Sequence, residues 1–250
     1  MKAILLSAGR GERLIPLTDK IPKVMLPIAG KPLLQYWIEL LKRYNIKEIA
    51  INLYHLGEQI ENYFGDGERF GVSIIYSKEE TLLGTATSIK KIEETYPGFC
   101  SNEPFLVIYA DNLSDMDLGK VISFYKEHPS IATITLHKHD EPWTRGIVNV
   151  DDDGRVLNFV EKPKKEDLIS GNIKGESASC VYILEPEVLK YLREEKEDLG
   201  TDLFPRLLQN SGVMYAFNPN AYVQDIGTFE RYEKAQKDII NTQGNLLPKI

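Results

Sequence analysis

Residues 2–7 form an apolar run interrupted at once by Ala8 and Gly9, the pattern of a strand covered on both faces. Over residues 32–44, Leu33, Leu34, Trp37, Leu40, Leu41 and Tyr44 recur at three- and four-residue intervals, which predicts a helix with one apolar face. The pattern then gives a buried strand at 48–53, a short helix at 57–64, a strand at 72–76, a helix at 85–96 and a strand at 105–109. Parallel strands need long crossovers, so this alternation predicts an α/β fold with a Rossmann-like, mostly parallel sheet flanked by helices.

After about residue 130 the texture changes. Short strands are expected at 132–137, 146–150 and 156–160, the last two joined by a turn at Asp151-Asp152-Asp153-Gly154, whose residue types tolerate positive φ. A strand at 181–184 precedes a helix opening on Pro186 and running to Leu192, and a further helix is expected at 201–208. Late strands at 214–217 and 221–223 lead to a closing helix at 229–241. These elements predict an antiparallel extension of the sheet. With no internal repeat and no long linker, residues 1–242 read as one domain with halves 1–130 and 131–242, and 243–250 as a flexible tail.

Composition narrows the function classes. Hydrophobic residues make up 42% and charged residues 27% of the 250 positions, ordinary for a globular chain with a buried core. The formal net charge of −7, with both signs mixed throughout, argues against nucleic acid as a partner, because duplex binding needs a basic footprint. It leaves room for a small cationic pocket. No apolar run reaches the roughly 20 residues of a bilayer span, and no membrane partner is expected. Cys100 and Cys180 match no metal spacing and make no disulfide framework, which points to a reducing cytoplasm.

The candidate chemistry starts at Gly9-Arg10-Gly11-Glu12-Arg13-Leu14, directly after the first strand. Glycines there let backbone N–H groups approach phosphate oxygens. The spacing fits neither the dinucleotide fingerprint nor the P-loop, and a glycine pair after a strand serves a tight turn equally well. Arg13 and the later Pro22-Lys23 add two cations, and cations beside a nest of amides suit a triphosphate. Asp111 closes the strand at 105–109, where an open α/β sheet places its ligands.

The stretch Leu6-Ser7-Ala8-Gly9-Arg10-Gly11-Glu12-Arg13-Leu14-Ile15-Pro16-Leu17-Thr18, followed by Pro22-Lys23-Val24-Met25-Leu26-Pro27, resembles the sugar-1-phosphate nucleotidyltransferase family. Leu83-Gly84-Thr85-Ala86, Ala110-Asp111, Gly146-Ile147-Val148, Val160-Glu161-Lys162-Pro163 and Asp225-Ile226-Gly227-Thr228 fall in that family's order, so the resemblance covers nearly the whole chain. It implies the nucleotide-diphospho-sugar transferase fold, in which the antiparallel extension binds the sugar phosphate. It also implies condensation of a nucleoside triphosphate with a sugar 1-phosphate. Arg13 and Lys23 become the catalytic cations, and Leu6, Ala8, Gly9, Gly11, Gly84 and Thr85 the nucleotide contacts. Gly146, Glu161 and Lys162 hold the sugar phosphate. Asp111 and Asp225 ligate Mg2+, whose hardness suits carboxylates and phosphate oxygens.

Within that family the short mannose- or heptose-1-phosphate guanylyltransferases are the first expectation, and a homodimer is compatible with it. Thymidylyl or uridylyl transfer to glucose or amino-sugar 1-phosphate, cytidylyl transfer to a small phosphate such as phosphocholine, and a non-catalytic nucleotide-sugar-binding subunit are the alternatives. Three departures stand out. Glu12 replaces a frequent threonine and is expected to turn toward Arg10 or Lys23, Arg145 replaces an aromatic residue, and Ser177-Ala178-Ser179-Cys180 replaces the usual sugar-pocket Asn-Ala-Gly. His137 and His139 are expected on a solvated strand face, Asp115 and Asp117 as caps of a helix starting near Leu118, Trp37 in the core, and Trp143 in an exposed loop.

Overall fold

The computed structural model describes residues 1–241; the boundary at 242 and the tail expected over 243–250 lie outside the described residues. Strands β1 (Lys2–Leu6), β2 (Pro27–Ile28) and β3 (Lys31–Pro32) lead into helix α1 (Leu33–Arg43). Strand β4 (Glu48–Leu53), helix α2 (Gly57–Phe64), strand β5 (Ser73–Lys78) and helix α3 (Thr85–Thr95) follow. Next come β6 (Phe105–Tyr109), β7 (Asn112–Ser114) and α4 (Leu118–Glu127). Strands β8 (Ala132–His137), β9 (Gly146–Val150) and β10 (Val156–Glu161), helix α5 (Lys165–Ile169) and strand β11 (Glu176–Leu184) form the next stretch. Helix α6 (Phe204–Gln209), strands β12 (Met214–Phe217) and β13 (Val223–Asp225) and helix α7 (Phe229–Asn241) close the described chain.

The chain packs as two compact units interleaved in sequence. The first takes Met1–Leu82, Val107–Leu118 and, of the described chain, residues 221–241; the second takes Leu83–Leu106 and Gly119–Asn220. The halves expected from sequence meet at one point near residue 130, whereas these units exchange the chain several times. Pairing explains the exchange. β13 runs antiparallel to β7, with Asp225 opposite Asn112, which returns the C-terminal stretch to the first unit. The N-terminus of α3 bonds to residues 197–199, which draws residues 83–106 into the second.

In the first unit β1 pairs parallel to β4 and β4 parallel to β5, with β6 beside β1 on the other side. β1 and β4 are buried almost end to end, as strands covered on both faces must be. Helix α1 buries Leu33, Leu34, Trp37, Ile38, Leu40 and Leu41, the stripe its spacing predicts, and the Trp37 indole N–H donates to the Asn112 carbonyl at 2.7 Å. In the second unit the order is β10-β9-β11-β8-β12. All its pairings are antiparallel except β12 with β8. The architecture is thus the expected one: a mostly parallel sheet flanked by helices, with an antiparallel extension.

Several elements differ from expectation. The segment 201–208 is not one helix: a π-helical turn, Leu199–Leu203, precedes α6. Pro205 lacks a donor and fits only near a helix start. The segment opening on Pro186 is a 3-10 helix, Pro186–Tyr191. β11 begins at Glu176, earlier than the 181 expected. Ser177 and Ser179 are buried all the same, because the strand is paired with β9 at its start and with β8 along its length. β13 lies two residues later than the strand expected at 221–223. Asp115 accepts the Tyr222 N–H and Asp117 the Tyr44 hydroxyl.

A buried ion pair stabilises the second unit. Arg206 on α6 donates through both terminal nitrogens to the two Glu197 carboxylate oxygens, and also to the Tyr191 carbonyl at 2.6 Å. That guanidinium holds the Glu197 carboxyl below its ordinary range. A depressed folded-state pKa contributes stability above the unfolded value and loses it as pH falls through the folded one. Glu197→Gln is therefore expected to cost about 2–4 kcal/mol at pH 7, shrinking as the pH falls below about 4. Urea denaturation of both proteins across that range measures it; an equal cost at every pH would contradict the ionic origin.

Candidate active site

The glycine loop emerges from the carboxyl end of β1. Leu6 and Ala8 are buried and Gly9 exposed. The Ser7 N–H donates to Asn52 Oδ1 at 2.6 Å, and the Asn52 amide donates to Glu79 Oε1 at 2.8 Å, so the ends of β1, β4 and β5 are tied together below the loop. Gly11 has φ +70°, a conformation that favours glycine. A Cβ there would lie 2.9 Å from Thr18 Cγ2 and 3.2 Å from Lys23 Cβ. Gly9 differs: a Cβ built on it meets nothing within 4 Å. The fold itself requires Gly11 and leaves open space over Gly9.

An apolar cluster beneath the loop fixes the charged groups. Leu14, Leu26, Ile28, Leu33, Leu113 and Ile226 pack together with Ala235 and Ile239 of α7. Four of these anchors have a functional candidate close by in sequence: Arg13 before Leu14, Lys23 near Leu26, Asp111 near Leu113, Asp225 before Ile226. Lys23 is buried and its ammonium pairs with Asp111 Oδ2, not with Glu12, which is exposed. Asp111 Oδ1 accepts the Asn112 amide at 2.9 Å. The Ile226 N–H donates to the Asp111 carbonyl at 3.2 Å, which sets Asp225 one ladder step from Asp111.

Asp225 is 6% exposed. Its Oδ1 accepts the Gly227 N–H at 2.9 Å and its Oδ2 an Arg231 N–H at 3.0 Å. The Arg13 guanidinium rests on Gly227, where a Cβ would come within 2.9 Å of Nη2. The first unit thus collects an open glycine backbone, three cations and two carboxylates. Two nearby carboxylates supply hard oxygen donors, which suits Mg2+ sharing phosphate oxygens. Among the described residues no group of three or more His, Cys, Asp or Glu forms a complete protein cage, and Mg2+ completed by substrate needs none.

The second unit holds the other candidates. Gly84 presses against the Glu197 backbone. Thr85 is engaged by the fold: its N–H and hydroxyl both donate to Asp198 Oδ1, and its oxygen accepts the Leu199 N–H. Gly146 faces Glu161 across the β9–β10 ladder, with the Glu161 carboxylate and the Phe159 ring over its Cα. Lys162 lies 68% exposed, with its ammonium 3.4 Å from Glu161 Oε1. It holds φ +44° immediately before Pro163, a strained conformation of order 1 kcal/mol for a residue with a Cβ. His137 corrects an expectation: it is buried, not solvated, with its ring edge-on to His139 at 5.4 Å, and His139 Nε2 lies 3.4 Å from the Arg145 guanidinium. Trp143 carries the Lys165 ammonium 4.1 Å above its ring.

Sequence reading missed Arg231, Asn112, the Asn52–Glu79 pair and Asp198. Arg231 sits in the first turn of α7, at no spacing from Asp225 that a motif would flag. Asn112 adjoins Asp111 and was legible only as a neighbour.

A family model described as nucleotidyl transferase matches residues 2–242. The chain belongs to the nucleotidyl transferase family. Among curated members it is 38% identical over 97% of its length to a UTP–glucose-1-phosphate uridylyltransferase of Synechocystis sp., covering 64% of that protein. It is 32% identical over 91% of its length to a probable mannose-1-phosphate guanylyltransferase 1 of Oryza sativa subsp. japonica, covering 61% of it. The chain thus spans just under two thirds of these relatives. Among solved structures, HddC from Yersinia pseudotuberculosis complexed with GMP-PN aligns at TM-score 0.74 and 26% identity, over 95% of this chain and 99% of that one. A putative glucose-1-phosphate thymidylyltransferase from Bacillus anthracis shares the fold at TM-score 0.82 and 24% identity, over 95% and 94% of the two chains.

The two loop glycines separate in a stability measurement. Gly11→Ala is expected to cost about 1–3 kcal/mol, from its left-handed backbone and the crowding of Thr18 and Lys23. Gly9→Ala should stay within about 0.5 kcal/mol of the parent. Urea midpoints at constant slope check both.

Proposed function

We propose that this nucleotidyl transferase condenses a nucleoside triphosphate with a sugar 1-phosphate to give a nucleoside diphosphate sugar and pyrophosphate. A phosphate oxygen of the sugar 1-phosphate attacks the α-phosphorus. The bond from that phosphorus to the bridging oxygen of the β-phosphate breaks, and pyrophosphate departs with the electron pair. The observation that carries this reading is the arrangement in the first unit: an unobstructed glycine backbone beside Arg13, Lys23, Asp111 and Asp225, all anchored to one apolar cluster.

In this reading the backbone of Leu6, Ala8, Gly9 and Gly11 receives the nucleotide, and open space over Gly9 lets phosphate oxygens reach the N–H groups. Arg13 neutralises the departing β- and γ-phosphates. Lys23 neutralises the α-phosphate, where charge grows as the bond forms. Asp111 and Asp225 hold Mg2+, which supplies Lewis-acid neutralisation of the phosphates when bound. In the second unit Gly84 meets the nucleotide and Thr85 secures it. The Lys162 ammonium meets the phosphate of the sugar phosphate, Glu161 accepts hydrogen bonds from sugar hydroxyls, and Gly146 leaves room for the sugar. The strained backbone of Lys162 is consistent with a side chain placed for a ligand.

GTP with a mannose- or heptose-type 1-phosphate is the first choice of substrates, a choice supported by the guanylyltransferases among its relatives. UTP with glucose 1-phosphate is the second reading, favoured by the 38% identical uridylyltransferase. The cytoplasm is the compartment proposed with this reading, and its reducing conditions suit the buried thiols of Cys100 and Cys180.

Pyrophosphate release from a panel of GTP, UTP, dTTP and CTP against mannose, heptose, glucose and amino-sugar 1-phosphates tests the reaction. Turnover of at least one pair with Mg2+ is expected, and none for any pair overturns it. Asp111→Asn should lower kcat by about 100-fold or more with the circular dichroism unchanged; full activity would remove Asp111 from the metal site. Lys162→Ala should raise KM for the sugar phosphate about tenfold while moving KM for the triphosphate far less.

A further inference from the structure

One turn in the second unit, residues 197–202, touches both the start of α3 and the end of β10. Asp198 Oδ1 accepts the Thr85 N–H at 2.8 Å and the Thr85 hydroxyl at 3.1 Å, and that hydroxyl oxygen accepts the Leu199 N–H at 2.9 Å. The Glu197 carbonyl accepts the N–H groups of Ala86 at 3.0 Å and Thr87 at 3.3 Å. Thr87 Oγ1 returns a bond by accepting the Glu197 N–H at 2.9 Å. The N–H groups of Thr85, Ala86 and Thr87, which the helix cannot satisfy internally, are therefore taken by this turn.

Two residues on, Gly200 lies flat against the Glu161 side chain. A Cβ there would overlap Oε2 and stand 3.1 Å from Cδ, while Gly146 confines the same carboxylate from β9. The π-helical winding of Leu199–Leu203 is the local irregularity that brings Gly200 to this position, and such bulges are frequent at functional sites. The turn itself is fixed by the Glu197–Arg206 pair.

We propose that this turn is a positioning element with two separable arms. Asp198 sets the Gly84–Thr85 backbone for the nucleotide, and Gly200 sets the Glu161 carboxylate for the sugar. The inference rests on the reaction proposed above. An ordinary helix cap and a tightly packed glycine would influence stability alone. Positioning residues two apart in sequence would instead act on different substrates, because each holds a different contact group.

The test is steady-state kinetics of the full chain with the substrate pair that the panel selects, alongside calorimetric titration with the triphosphate and thermal unfolding. Asp198→Ala is expected to raise KM for the triphosphate about tenfold and leave that for the sugar phosphate within about twofold. Gly200→Ala is expected to do the reverse, since the displaced atoms are the far end of a flexible side chain and the fold survives. Asp198→Asn, which keeps an acceptor oxygen, should recover most of the triphosphate affinity. Equal increases in both KM values, or a lowered Tm with both KM values unmoved, would overturn the proposal. If Asp198→Ala does not fold, Asp198→Ser carries the same crossed expectation with a smaller shift. A wild-type protein that binds no triphosphate and turns over no pair takes down the reaction and this inference together. Wild-type turnover with unmoved variants removes this inference alone.

Discussion

Burial of Leu14, Leu26, Leu113 and Ile226 in one cluster decides where the charged groups of the first unit stand. Each of these side chains is at most 1% exposed, and withdrawing one to water costs about 2 kcal/mol before any cavity term. Arg13, Asn112 and Asp225 are the immediate chain neighbours of three of them. Their backbone positions are therefore set by packing, while their polar ends face away from the apolar contact. The same cluster reaches α7 through Ala235 and Ile239, and that helix also presents Arg231 to Asp225. Placement of charge in this unit follows from placement of hydrocarbon.

The carboxylates are kept in place by different means in the two units. Asp111, in the turn just before β7, and Asp225, on the neighbouring β13, carry like charge, an arrangement that burial would penalise without counter-charges. Lys23 and Arg231 supply them, each from a different segment of the same unit. Glu161 is held in large part by shape, between two glycines that admit its carboxylate and leave it little room to turn. Charge pairing tolerates small movements, whereas steric confinement does not, so the two groups respond differently to substitutions around them.

Much of this was legible in the sequence because it is written in short-range patterns. The buried strands β1, β4 and β6, the stripe of α1 and the glycine loop all declare themselves within a window of a few residues. What escaped depends on long-range pairing. Ser177 and Ser179 hide β11 from a hydrophobicity reading, yet β8 and β9 bury them. Asp198 looks like any loop aspartate until α3 is seen to start on it, and Pro205 alone hints that residues 199–203 wind differently from an α-helix. The charge partners of Asp111 and Asp225 split the same way. Lys23 was noticed for its chemistry, while Arg231, on a closing helix, was not. The division into interleaved units was invisible for a similar reason, since no composition change marks residues 83, 107, 119 or 221.

That interleaving gives biosynthesis an order. The second unit has its whole sequence once Asn220 has been made, whereas the first needs β13 and α7, the last elements of the described chain. Leu14, Leu26 and Leu113 leave the ribosome long before Ile226 arrives to cover them. The strands of the second unit can thus pair while the apolar cluster of the first is still open surface, of the kind that chaperones recognise. A message cut short after the second unit would yield a chain without Asp225, Ile226 and α7, its cluster around Leu14 left uncovered.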